Sequence, residues 1–236
     1  MSTKDTPEPA RASHPLPSLP SAPLLEVPVL ALDGLTLFPG TLVPLHAYEP
    51  EACRALAEAL ADRRLIVLAA IDRPGPDRPV HTIAGLGRIV SDRRYPDGRL
   101  DAFVHGLERV SLERLSIGTS GLVADLAVLP DERTAAEPTS RDALAGLRLV
   151  SIATAFGQAL IAAERTEEAE CLRSLVASST DLALVSNRLA ASFVVGFEDR
   201  QALLAEVRVA ARIDRLAALI GSALLAVAAP DRRRLH

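Results

Sequence analysis

Between residue 24 and about residue 130 the apolar positions alternate with polar ones or form short continuous runs. Beyond that point they recur every three or four residues. In the first half, "LLEVPVLAL" and "TLVPLHA" have the length and β-branched content of strands. The "FPGT" between them fits a type II turn, with Pro39 fixing φ and Gly40 supplying a positive φ. "EPEACRALAEALAD" spaces Cys53, Leu56, Ala57 and Leu60 for a short helix entered at Pro50. "RLIVLAAI" is an unbroken apolar run, which predicts a strand buried on both faces. "DRPGPDRPVHT" is a loop by its Pro and Gly content. Asp97-Gly98, between "IAGLGRIVSDRRY" and "RLDAFVHG", is the strongest hairpin signal in the chain. "ERVSLERLSI" and "GLVADLAVLP" alternate at period two, placing Val110 and Leu112, then Leu122, Ala124, Leu126 and Val128, on one face.

"DERTAAEPTS" is a polar connector in which Thr139 or Ser140 can cap the next helix. Helices are predicted over 141–164, 167–177, 181–195 and 199–229. In the third, Leu182, Val185, Leu189 and Phe193 form an apolar stripe and Gly196 is placed to end it. In the last, Val209, Ile213, Leu216, Ile220, Leu224 and Val227 repeat by threes and fours. A β-rich half followed by an all-helical half is the α+β pattern. The expected organisation is a Pro-rich disordered tail over 1–23, a β-rich subdomain over 24–130, a helical subdomain over 131–229 and a short tail over 230–236.

Composition narrows the chemistry. Aromatic residues are 3% of the chain and Trp is absent, which disfavours sites that stack bases or sugars. The net charge is −4 with the signs interspersed, so no positive field gathers nucleic acid. Lys4 is the only lysine and lies in the tail, which removes P-loop, Ser–Lys and Schiff-base chemistry. Cys53 and Cys171 sit in no CxxC or His-spaced pattern, so two free thiols are expected, with no metal and no cofactor. The N-terminal residues lack the apolar core of a signal peptide. The longest apolar run, Leu216 to Ala229, falls short of a membrane span, and a cytoplasmic location is expected.

The blocks "LFPGTLVPLHAYEP", "AGLGRIVSDRRYPDGRLDAFVHGLERVSLERL" and "SNRLAASFVVGFEDRQALLAEVRVAARIDRLAALI" stand in an order that resembles the N-terminal substrate-binding domain of the bacterial ATP-dependent protease Lon. In place of the usual Ala there is Gly87, and Ala52 or Cys53 replaces a frequent aromatic. The resemblance covers roughly residues 25–228. It implies a PUA-like β-barrel carrying one short helix, followed by a C-terminal α-helical bundle, that recognises unfolded or tagged polypeptides and contributes to oligomer assembly. No Walker A pattern is present, so a stand-alone form without ATPase and peptidase domains is expected, with an adaptor role in protein quality control.

Two interpretations compete at each conspicuous residue. His46 with Glu49 could be a general base and its orienting carboxylate, but no Ser or Cys is tied to them by a motif, and the framework interpretation is preferred. Arg63-Arg64 and Arg93-Arg94 fit solvated edges better than an anion site, and Arg232 to Arg234 a solvated terminus. The expected function is therefore non-enzymatic binding of polypeptide through open strand edges and apolar surface. Phe38, Pro39, Leu42, Pro44, His46 and Tyr48 are the candidate contacts, with the loop from Asp72 to Thr82 as a mobile wall. The nearly all-apolar end of the last helix, with Leu219 and Leu225 beside its main stripe, is either buried or a surface for a partner or a second copy. No membrane and no nucleic acid are expected as partners. The alternatives are a PUA-like module for a small molecule or nucleic acid, and a hydrolase using His46, His81 or His105.

Overall fold

Six strands form one sheet: β1 (Leu24–Asp33), β2 (Leu42–Ala47), β3 (Leu65–Ile71), β4 (Ile83–Arg94), β5 (Leu100–Ile117) and β6 (Leu122–Leu129). The structure is a computed structural model that describes residues 24–71, 80–119, 121–133 and 140–228. Both terminal tails, most of the Asp72–Thr82 loop and the Thr139 cap lie outside the described residues. The strand order is β2-β5-β4-β3-β1-β6, and β6 also pairs with β5. Pairing therefore runs in a ring from which β2 stands out as an edge, hydrogen-bonded to β5 alone among the described strands. β1 and β3 are parallel, and the other pairs are antiparallel. Helix α1 (Pro50–Ala61) links β2 to β3, and α2 (Ser140–Ala162), α3 (Thr166–Ala177), α4 (Leu182–Phe193), α5 (Phe197–Ala205) and α6 (Val209–Ala228) follow the sheet. The fold is α+β, as expected.

The unbroken apolar run of β3 has a direct cause. Leu65, Val67 and Ala69 enter one apolar cluster with Leu86 and Val110, while Ile66 and Leu68 enter another with Leu56 of α1. Every residue of β3 is buried, so no polar phase is available to it. Helix α1 starts on Pro50 with Glu51 in its first turn, both suited to a helix N-terminus. It buries Ala55, Leu56 and Ala59, and full burial of a leucine such as Leu56 contributes about 1.5–3 kcal/mol. The FPG turn forms as expected: Gly40 has φ +75° and Thr41 N–H donates to Phe38 O at 3.2 Å. Phe38 itself inserts into the helical apolar cluster beside Leu189 and Leu216.

Several local expectations are corrected. The segments read as two strands on either side of Leu107 are the single strand β5, kinked where its register with β4 shifts near Gly87. Val123 is buried on β6 whereas Val128 is exposed, so the expected alternation breaks there. The helix expected over 199–229 is two, α5 and α6. Between them Val207 O accepts from Glu132 N–H at 2.9 Å and Arg208 bridges to Glu132, so that backbone is engaged outside the helix. Gly196 has a φ of −65° and is the N-cap of α5; α4 already ends at Phe193, with Val194 as its C-cap.

α2 and α6 lie side by side and run in the same direction, with Arg148 paired to Asp214 and Ile152 close to Gly221. By length and composition α2 could cross a membrane over Ala143–Ala162, although polar residues interrupt its apolar run. In the fold it is a packing helix whose Ala145, Leu149, Ala153, Phe156 and Leu160 face the helical cluster.

Sheet and helices are joined by a buried charged network. Arg109 of β5 and Arg212 of α6, 2% and 0% exposed, both donate to Asp131 Oδ1, at 2.6 and 2.8 Å. Arg109 also donates to Leu204 O and to Asn187 Oδ1, and Arg212 to Glu206 O and Ser186 Oγ. Burial first, and then Arg212, pushes the Arg109 guanidinium down to about 10, which leaves it charged at neutral pH. Arg212 Nη2 is buried without a hydrogen-bond partner. Two buried cations thus share one carboxylate.

Candidate functional site: an edge strand and the adjoining cleft

Along β2 the side chains of Leu42, Pro44 and His46 are exposed while Leu45 and Ala47 are buried, as one solvated strand face requires. The partners on that face are His105, Phe103 and Asp101 of β5. Leu42 is 53% exposed and Phe103 46%, with Pro44 directly opposite Phe103. Val90, the extra residue where the β4–β5 register shifts, is also exposed. Tyr48, just beyond the strand, is 74% exposed. Thr41 O accepts from Gly106 N–H, so strand alternation turns the backbone groups of Leu42, Pro44 and His46 to the open side. Pro44 has no N–H to offer there, the usual place for proline in a sheet.

Leu42 also belongs to a cleft of about 650 Å3 between the β1–β2 loop and the helices. Asp33, Leu35, Thr36 and Val43 line it on the sheet side, and Leu175, Arg188, Ala191 and Arg200 on the helix side. The loop is clamped by side chains. Asn187 Nδ2 donates to Pro39 O, Arg188 Nε to Gly40 O at 3.3 Å, and Arg200 Nη2 to Gly34 O at 2.7 Å.

The expected contact residues therefore separate. Leu42, Pro44, His46 and Tyr48 share the outer surface, whereas Phe38 is fully buried and unavailable to an outside ligand in this conformation, and Pro39 is half-buried behind it. Leu219 packs against the helical cluster, while Leu225 is 73% exposed. Sequence reasoning missed Phe103, although Leu100, Ala102 and Val104 point inward and so leave it on the opposite phase. It also missed Arg188 and Arg200, which look like ordinary helix-surface arginines until the loop is folded against them.

The histidines do not converge. His46 Nδ1 lies 2.9 Å from Asp101 Oδ1, and Tyr95 Oη donates to the other oxygen at 2.7 Å, so the carboxylate beside His46 is Asp101 and not Glu49. Cys53 Sγ donates to Ala47 O. His105 lies opposite Leu42, four residues along β2 from His46, or roughly 13 Å at strand rise. His81 precedes β4 and sits edge-on to Phe197. Among the described residues no group of three or more His, Cys, Asp or Glu could hold a metal.

Burial, and then the nearby Arg188, holds the His105 imidazole below its usual value of 6.5. Its Nδ1 is buried without a partner. A depressed histidine means that the unfolded chain takes up the proton first. Its contribution to stability is full above about 6.5 and is lost as pH falls through the folded-state value. Urea midpoints at pH 7 and pH 5 should therefore fall more for the natural chain than for His105→Gln. Equal falls would show that His105 does not set this dependence.

The family model for the ATP-dependent protease La (LON) substrate-binding domain matches residues 26–221. The Lon protease of Xanthomonas oryzae pv. oryzae is 26% identical over 201 residues, covering 84% of this chain and 23% of that protein. Lon protease 1 of Herpetosiphon aurantiacus is 28% identical over 199 residues, covering 81% and 23%. The chain thus spans about a quarter of the length of these curated relatives. Among solved structures, the N-terminal domain of a Mycobacterium avium complex Lon protease superposes with a TM-score of 0.61 at 21% identity, over 83% of this chain and 98% of that one. The Lon N-terminal domain protein from Xanthomonas campestris gives 0.57 at 19% identity, with the same coverages. Both likenesses concern the fold.

Proposed function

Because this chain belongs to the ATP-dependent protease La (LON) substrate-binding domain family, we propose that it recognises polypeptide, unfolded or presented by a partner protein, and performs no chemistry on it. One observation carries this reading: the exposed apolar surface of Leu42, Pro44 and Phe103 on a strand edge, continuous through Leu42 with a cleft. Side-chain contact is the main mode, since Pro44 interrupts the row of amides that strand addition would use. On this reading the paired ring of strands is the PUA-like barrel, residues 24–130 form one subdomain, and the helical bundle of 131–229 buttresses it. An adaptor role in cytoplasmic protein quality control follows, with Leu225 and the open end of α6 available to a second copy and no role for membrane or nucleic acid.

The test is binding of a reduced, carboxymethylated and therefore unfolded protein to the natural chain and to the double variant Leu42→Asp, Phe103→Asp. Both side chains are about half exposed, so the fold should persist with a somewhat lower denaturation midpoint while affinity drops about tenfold or more, the effect of losing one apolar hot spot. Unchanged affinity would move the contact surface elsewhere. No binding by the natural chain at tens of micromolar would end the reading.

A further inference from the structure

Among the described residues, Arg54, Arg88, Arg93 and Arg94 have no acidic group within ion-pair distance, and neither do Arg188 and Arg200. Arg188 and Arg200 line the same cleft. Each is held in place by backbone and hydroxyl oxygens. Arg188 donates through Nε to Gly40 O and through Nη1 to Ser178 Oγ at 2.9 Å. Arg200 donates through Nη1 to Val194 O at 3.2 Å and through Nη2 to Gly34 O. A guanidinium carries five donors, so both retain N–H groups after these bonds. On the opposite wall Thr36 Oγ1 is buried without a hydrogen-bond partner. Leu35, Leu42, Val43, Leu175 and Ala191 supply apolar lining, and Asp33 is the one acid. Fixed cations and an apolar lining in one small cleft match a ligand that carries a carboxylate next to a hydrocarbon group.

We propose that the cleft holds the C-terminal end of a polypeptide, with the α-carboxylate against Arg188 and Arg200 and the last, apolar side chain against Leu35 and Val43. This deepens the polypeptide-binding reading and rests on it. The terminus is favoured over an acidic side chain because the α-carboxylate lies one bond from the carbon that bears the apolar group. Both then fit a single cleft of about 650 Å3.

The experiment uses the full chain and three labelled hexapeptides of otherwise identical sequence. One ends in Ala-Leu with a free carboxylate, one carries the C-terminal amide, and one is the amide with Glu in place of the penultimate Ala. The free acid should bind about tenfold tighter than the plain amide, the effect of a charge-assisted pair. Arg188→Gln should abolish that difference, and Arg188→Lys should keep part of it. N-acetyl-leucine, but not N-acetyl-leucinamide, should compete, a result that does not depend on any variant folding. Equal binding of acid and amide overturns the proposal while leaving polypeptide recognition intact. If the Glu-containing amide binds as well as the free acid, the terminal assignment is overturned and the carboxylate comes from a side chain. If the unfolded protein also fails to bind, it is the parent reading that has failed.

Discussion

Asp131→Ala is expected to destabilise the protein by about 3–5 kcal/mol, because it strands two buried guanidinium groups without their common counter-charge. Arg109 and Arg212 are almost wholly enclosed, and Asp131 is itself only 20% exposed, so solvent does little to soften the loss. The adjacent Glu108 is a poor substitute, since burial raises its carboxyl above the usual value and so disfavours its charged form. Removing one cation should restore part of the stability: Arg212→Met in the Asp131→Ala background should be more stable than Asp131→Ala alone. Urea denaturation with an unchanged m value is the appropriate measurement. A loss below about 1 kcal/mol, the range of exposed ion pairs, would show that this network does not hold the helices to the sheet.

Gly106→Ala should also be strongly damaging. A Cβ at Gly106 would lie 2.1 Å from Phe38 O and 2.9 Å from Phe38 C, both backbone atoms. The FPG turn must retreat, and two hydrogen bonds are stretched with it: Gly106 N–H to Thr41 O and Gly40 N–H to Gly106 O. Overpacking together with weakened backbone bonds places the cost at about 3 kcal/mol. Polypeptide binding should fall as well, because the turn carries Leu42 and one wall of the cleft. Gly98→Ala is the control. Nothing lies within 4 Å of a Cβ there and only its positive φ is at issue, so about 1 kcal/mol is expected. Similar losses at the two positions would contradict the close-packing account.

What could be foreseen from the sequence divides along physical lines. The FPG turn, the Asp97-Gly98 hairpin, the doubly buried β3 and the proline-started α1 are encoded by neighbouring residues, and each forms where expected. The break between α5 and α6 is not local. There Glu132, far away in the chain, donates its N–H to Val207 O and accepts from Val209 N–H. Arg212 could have been noticed, since it falls on the same helical face as Val209, Ile213 and Leu216, where a charge has no solvent to meet. Arg109 was harder, because an arginine among alternating strand residues looks like part of the wet face. The cleft arginines could not be foreseen at all. Their significance comes from the β1–β2 loop docking onto α4 and α5, a contact between segments far apart in sequence.

On the proposed reading, in which this chain binds unfolded polypeptide, Pro44 also limits how such a ligand can attach. An extended segment lying alongside β2 meets a ring nitrogen with no hydrogen at the middle of that open border. A polypeptide bound in that way would be held by its greasy groups without β2 becoming a seed on which fibrils grow, so a crowd of bound chains need not draw the protein into their aggregate.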